Sequence, residues 1–398
     1  MNLTEKHIIN KNHSNFKKFD ELCFISKNLY NQANYIIRQE FTANNNYLNY
    51  IKIEKITKNL EEHNNYRLLP SQISQQILRL LDKNWLSFFR AIKDWSKNKS
   101  KYLGRPKLPK YKKKNGRNII IFTNQGCRIK DNYIHFPKKL NLTPIKTKVN
   151  NLRQVRIVPK NNVYIMEVVY EKDIENLKLN KNKVIAIDLG INNFSTITNN
   201  FGLKPTVING KIIKSFNQYY NKKKAKLMSY VKGLGISNKI IKLTNKRNNK
   251  IEDYFHKVSR YIINYCVKND VGTIVVGKNK NWKQKSKLSK KVNQNFVSIA
   301  FDSFINKLNY KAKLLNINFL ETEESYTSKS SFIDNETMDK NTNFQGKRIK
   351  RGLFKTKNGI LINADVNGSY NILRKAFSKF KSDEIEDVGL HPVRINIF

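Results

Sequence analysis

Acidic residues are scarce in this chain. Only 30 Asp and Glu stand against 76 Lys and Arg over 398 residues, a formal charge of +46. A compact body with that charge repels itself unless a polyanion neutralises it, so a merely soluble basic protein does not account for the composition. Cysteine is scarcer still: Cys23, Cys127 and Cys266 lie far apart with no CxxC pair. That excludes a disulfide framework and a cysteine zinc site, and a reducing cytoplasm is the simplest setting. No apolar run approaches the 18 residues a membrane helix needs, and no signal peptide is expected at the start. Hydrophobic residues still make up 39%, enough to bury cores, and the length calls for two or more of them. The wealth of Lys, Asn and Ile points to an AT-rich bacterial or phage genome.

What is abundant is base mixed with ring and amide. Lys and Arg interleave with Tyr, Phe and Asn along the whole chain, a mixture suited to phosphate contact plus base stacking. Leu22, Ile25, Leu29, Ala33, Ile36 and Ile37 recur at helical spacing. A second helix starts after Pro70 and Ser71, with Ile73, Ile77, Leu80, Leu81, Trp85, Phe88, Ile92 and Trp95 on one face. Trp85 and Phe88 read as helix-on-helix core. The segment "KYLGRPKLPKYKKKNGRN", 101–118, has too much Gly, Pro and Lys for a regular helix. Its Arg105, Lys107, Lys110, Tyr111 and Lys112 form either a solvated face or a segment that follows a nucleic-acid backbone. The strand-like runs "NIIIFT", "YIHFP", "QVRIVP" and "VYIMEVVYEK" follow, and their order predicts a small antiparallel barrel. A boundary falls near Asn180.

Beyond it the pattern changes. "KVIAIDLG", "NFSTITNN" and "PTVINGKII" read as three antiparallel strands, followed by one long helical region over 217–269. Then come strand "VGTIVVG", helix "FVSIAFDSFINKLNYKAKLLN", strand "INFLETEES" and a last helix from "NADVNGSYNILRKAF". Three antiparallel strands leading into helix-covered parallel ones is the ribonuclease H arrangement. Two hard cations about 3.5–4 Å apart, held by three or four acids, serve phosphodiester hydrolysis on such folds. Asp188 closes the first strand. Asp365 opens the last helix, where an acid also serves as a plain cap. Asn367, Tyr370 and Asn371 surround it, and Ile372 and Leu373 supply a packing face.

"AIDLGINNFSTI", "SYTSKSS" and "NADVNGSYNILRK" resemble, in order, three segments of the TnpB family, transposon-encoded RNA-guided nucleases related to the type V CRISPR effectors. "LPSQISQQILRLLDKNWLSFFRAI" and "GRPKLPKYKKK" extend the resemblance to the amino-terminal half. It implies a multidomain α/β fold. A wedge-type β-barrel would span 1–15 and 100–180, with a helical recognition lobe inserted at 16–99. A RuvC, ribonuclease H-like nuclease domain would span 181–325 and 364–380. A target-strand-loading insert would fill 326–363 and a carboxyl-terminal tail 381–398. A guide RNA from the transposon end, a double-stranded DNA target beside a short motif, and magnesium are implied with it. Asp188 and Asp365 take the positions of the first and last catalytic acids.

Two departures follow. The family's middle acid is usually a Glu at the position of Gly277, which Lys278 follows here. "FLETEESYTSK" offers Glu321, Glu323 and Glu324 one strand across, and Glu324 is the expected third metal ligand, with Glu323 the alternate because strand neighbours face opposite ways. The zinc-binding cysteines common in the family are absent. Ser330 and Ser331 occupy that region, and the insert carries instead a basic hairpin, "GKRIKRGLFKTKNG", with Arg348 and Ile349 in its first arm. No structural zinc is expected, and the hairpin is expected on the target strand. An active magnesium-dependent endonuclease is the leading function. A nuclease-dead, RNA-guided repressor is the rival that Gly277 favours, and retention of both Asp188 and Asp365 opposes it. A cut-and-paste transposase with a ribonuclease H fold would also use three acids but leaves the amino-terminal half unexplained.

Overall fold

The computed structural model describes residues 1–231, 235–279, 294, 298–378, 380 and 390–397. Two compact units divide the chain, Met1–Lys172 and Asp173–Phe398. The division falls ahead of the expected boundary at Asn180, because Glu175 N–H already bonds the Leu314 carbonyl of the second unit at 2.8 Å.

In the first unit, β1 (Asn2–Ile9), β2 (Ile120–Thr123), β6 (Leu152–Lys160) and β7 (Val163–Glu171) form an antiparallel sheet in the order β1-β7-β6-β2. Residues of β6 and β7 alternate toward a buried face, where Val155, Ile157, Met166 and Val168 meet the helices. β3 (Arg128–Lys130), β4 (Tyr133–His135) and β5 (Ile145–Lys146) make a separate three-stranded sheet. No closed barrel is seen among the described residues, unlike the expectation. The intervening strands β3, β4 and β5 are only two or three residues long and pair with one another, leaving β1 and β2 as edges of the larger sheet.

The helices are α1 (Phe16–Asn44), α2 (Tyr50–Lys58) and α3 (Ser71–Lys97). Trp85 of α3 is fully buried, and its indole N–H donates to Asn34 Oδ1 of α1 at 3.0 Å. Phe88 is half-buried at the edge of the same aromatic cluster, 6.0 Å from the Trp85 ring.

In the second unit, β8 (Asn180–Leu189), β9 (Asn193–Asn199) and β10 (Thr206–Asn209) are antiparallel to one another. β11 (Val271–Gly277) runs parallel to β8, and β12 (Asn318–Thr322) parallel to β11. A last strand, β16 (Val393–Ile395), pairs parallel with β10 and completes the order β12-β11-β8-β9-β10-β16. The helices of this unit are α4 (Lys211–Met228), α5 (Asn238–Lys268), α6 (Phe301–Leu314) and α7 (Ala364–Ala376). Phe194 stands at the centre of one core, against Phe255, Phe301 and Phe304.

Three sequence expectations are corrected here. "GKII" opens α4 rather than ending a strand, with Gly210 as its amino cap. A side-chain carbon on Gly210 would stand 2.5 Å from the Ile191 carbonyl oxygen, so the turn requires glycine. The single helix expected over 217–269 is two, because Ser237 caps a new helix by accepting from Ile240 N–H. The expected tail instead returns to the sheet as β16, while residues 381–389 lie outside those described.

Between β12 and α7, β13 (Lys347–Lys350), β14 (Leu353–Lys355) and β15 (Leu361–Asn363) form an antiparallel sheet.

Candidate active site

β8 is buried from Val184 to Ile187 and then delivers Asp188, half-buried, at its carboxyl end. Behind it packs α7. A side-chain carbon on Gly368 would stand 3.4 Å from Asp188 Oδ2, so this helical glycine lets the carboxylate sit against the helix backbone. Asn363 caps α7 by accepting from the backbone N–H groups of Asp365 and Val366. Asp365 is thereby held in the first turn. Its Oδ2 accepts from Asn193 Nδ2 at 2.6 Å and its Oδ1 from Arg348 Nη2 at 2.9 Å. The asparagine of the D-x-G-x-x-N segment therefore bonds the aspartate of the last segment, 172 residues away.

Glu324 follows the end of β12. A side-chain carbon on Gly277, the last residue of β11, would stand 2.7 Å from Glu324 Oε2. The carboxylate fills the room that glycine leaves. Asn279 holds it there, donating from Nδ2 to Oε1 at 3.3 Å and accepting from Glu324 N–H at 3.1 Å. The neighbouring acids face elsewhere. Glu323 pairs with Lys375 at 2.6 Å and also bonds Ser325, and Glu321 pairs with Lys278 at 2.9 Å.

These placements set the electrostatics. Burial, then the charges of Glu324 and Asp365, raise the Asp188 carboxyl well above the usual range, against the pull of Arg348 and the Leu189 backbone N–H. Burial, then the charge of Glu323, pushes Glu324 up to about 7, with Lys375 opposing. Glu324 and Asp365 thus press charge on Asp188. Among the described residues, no three His, Cys, Asp or Glu side chains stand close enough to share an ion as they are, and Asp365 is engaged by Arg348. The donor set itself is all carboxylate oxygen, which fits a hard divalent cation such as magnesium.

The other motif residues have structural work. Asn367 donates to the Ser330 carbonyl and accepts from Phe332 N–H, and Asn371 donates to the carbonyls of Thr327 and Ser330. Both are fully buried and clamp the "YTSKSS" loop to α7. In the insert, Glu336 ties the chain together, accepting from the backbone N–H groups of Ser331, Gln345 and Gly346.

The basic segment of the first unit is an extended strap laid on α1. Lys27, Asn31, Asn34 and Arg38, on one stripe of that helix, donate to the carbonyls of Lys114, Lys112 and Pro109. Asn31 also accepts from Lys112 N–H, and the Arg38 guanidinium lies 4.7 Å from the Tyr111 ring centre. The strap's backbone is satisfied inward, while Arg105, Lys107, Lys110 and Tyr111 are exposed and Lys112 is half-buried. In the insert, Arg348 and Ile349 of β13 are both exposed, with Arg348 on Asp365.

The class defined so far is a mixed α/β protein of two units whose second unit gathers acids at strand and helix ends. Residues 167–283 match the OrfB_IS605 family, described as probable transposase, and residues 301–372 match the Cas12f1-like TNB domain. The fold resembles that in a cryo-EM structure of a Cas12f1–sgRNA–target DNA complex, at 16% identity and a TM-score of 0.56, over 89% of this chain and 81% of that one. A CRISPR-Cas12f ternary complex aligns over 89% and 80% at 16% identity, with a TM-score of 0.40. No curated protein matches the chain. The chain is thus similar to the TnpB transposase family over residues 167–283 and to the Cas12f1-like TNB domain over residues 301–372, and its fold resembles that of Cas12f1.

Proposed function

We propose that this protein is a transposon-encoded, RNA-guided DNA endonuclease that hydrolyses phosphodiesters at Asp188, Glu324 and Asp365. The observation that carries the reading is that Asp188 stands at the carboxyl end of β8, Glu324 follows β12 of the same sheet, and Asp365 opens α7, whose Gly368 lies against Asp188, so that the charges of Glu324 and Asp365 both act on Asp188. The same three residues would hold magnesium, two ions in the full site, which would activate water and stabilise the leaving oxygen. Asn279 fixes Glu324, Asn193 orients Asp365, and Gly368 admits Asp188.

The remaining assignments follow from kinship and charge. The six-stranded sheet supports a RuvC reading of 181–325 and 364–380, with 326–363 loading the target strand. Residues 1–15 and 100–180 form the wedge and 16–99 the recognition lobe. The strap's cations would follow guide RNA, and DNA would be read beside a short motif. Among the described residues no helix is long and apolar enough to cross a membrane. Cytoplasmic action on the nucleoid is the setting that agrees with buried free thiols.

The test is purified protein loaded with its RNA, given matched target DNA and magnesium, and scored for cleavage. One observation favours a second reading: position 277 has no acid, and Arg348 engages Asp365. If the loaded protein occupies its target and never cuts, it is an RNA-guided repressor.

A further inference from the structure

Beside Asp365 opens a cleft of 290 Å³ lined by side chains from distant parts of the second unit. Four cations reach it: Lys211 from the first turn of α4, Arg348 from β13, Arg351 from the turn after it, and Arg394 from β16. One acid, Asp365, faces them, and Arg348 takes it. Among the described residues Lys211, Arg351 and Arg394 form no ion pair. A single unmatched cation means little in a chain with 76 bases and 30 acids. Three converging on one cleft from separate elements repel one another and call for an anion.

The cleft is built rather than incidental. With the Asn192 amide oriented oxygen-inward, Arg351 donates to it from Nη2 at 2.7 Å and Nε at 3.1 Å, which aims the guanidinium without neutralising it. Arg394 is anchored on both sides: Val393 N–H bonds the Pro205 carbonyl at 2.8 Å, and Asn209 donates to Asn396 Oδ1 at 2.8 Å. The sheet therefore carries the carboxyl-terminal strand to the candidate active site. Pockets for drug-sized ligands run about 300–1,000 Å³, so this one suits a single nucleotide unit and not a duplex.

We propose that this cleft is a phosphate subsite for the DNA strand being cut, in which Lys211, Arg351 and Arg394 hold a backbone phosphate next to the scissile one. The proposal rests on the nuclease reading, since Asp365 links the two. Arg394, on a strand that the sequence offers only as a tail, becomes a positioning residue.

The test uses full-length, RNA-loaded protein and target DNA in which single phosphates near the cut are replaced by neutral methylphosphonates. One such position should slow single-turnover cleavage about tenfold or more, the worth of a charge-assisted hydrogen bond. Arg394→Gln should slow the unmodified target similarly, and the same methylphosphonate should add nothing further in that variant. Arg394→Lys should recover part of the rate, and RNA content and melting temperature should not move. If the wild type cuts while Arg394→Gln and the Lys211→Gln/Arg351→Gln/Arg394→Gln variant cut equally fast, the subsite is wrong and the nuclease reading stands. If inorganic phosphate inhibits through these residues and no methylphosphonate matters, the site takes the free ion and the proposal fails. If the wild type never cuts, single-stranded DNA binding decides. The triple variant should lose about 0.7 from the salt slope per missing contact, and an unchanged slope overturns the subsite.

Discussion

Glu324 occupies the space that a side chain on Gly277 would fill. Gly277 ends β11, Glu324 lies two residues past the end of the neighbouring parallel β12, and an added carbon at 277 would lie 2.7 Å from Glu324 Oε2 and 2.5 Å from Ile372 Cδ1. An acid on one strand and a side chain on the other exclude each other here. Glu324→Gln keeps size and hydrogen bonding but removes charge, and cleavage should stop. Glu321→Gln should do little. Glu323→Gln should also leave cleavage intact, because that carboxylate is engaged by Lys375 and Ser325. Normal cutting by both Glu323→Gln and Glu324→Gln, and by the double variant, would remove this segment from the site.

Gly277→Ala tests the exclusion directly. Inserting a methyl into a filled site costs about 1–3 kcal/mol, read as a lower melting temperature, and cleavage should fall as Glu324 is displaced. Adding Glu324→Ala should return part of the stability and none of the activity. A Gly277→Ala variant as stable and active as wild type would show that the two positions do not compete.

Asp188→Ala and Asp365→Ala should each abolish cleavage while guided DNA binding, measured by mobility shift, stays close to wild type. A magnesium chelator should do the same and leave the melting temperature unchanged, since the insert is tied by Glu336 and not by thiolates. Unfolding on chelation would reveal a structural metal.

RNA binding should weaken steeply with salt. The expected slope of log affinity against log salt is about −0.9 per duplex phosphate contact and about −0.7 for single strands. Neutralising Lys107 and Lys110, exposed on the strap, should make it shallower by about one contact each. A flat salt response would rule out an extended polyanion path.

Asn371→Ala removes the side-chain donor to the Thr327 carbonyl and one of two to the Ser330 carbonyl, where Asn367 keeps the other. Orphaning buried acceptors costs about 1–3 kcal/mol. Amide exchange should quicken across 326–336, and cleavage should drop with RNA binding unchanged. Unaltered exchange would mean that the loop does not depend on α7.

The sequence alone determined what local pattern and composition carry. The excess of base demands a polyanion, Asp188 ends an apolar strand, Asp365 opens a helix, and the motif order carries the resemblance to the TnpB family. Those signals lie within a few residues or in the sum over all of them. Tertiary structure alone decided what depends on partners far along the chain. Periodicity stops where β12 stops, so the facing of Glu323 and Glu324 is settled by Asn279, Lys375 and the space at Gly277. The Asn193–Asp365 bond joins segments 172 residues apart and has no local signature. Short strands in the first unit carried no register, so the barrel read from their order is two open sheets. The "VRI" of β16 is too short to announce a strand, and only the free edge of β10 makes it one, bringing Arg394 to the site.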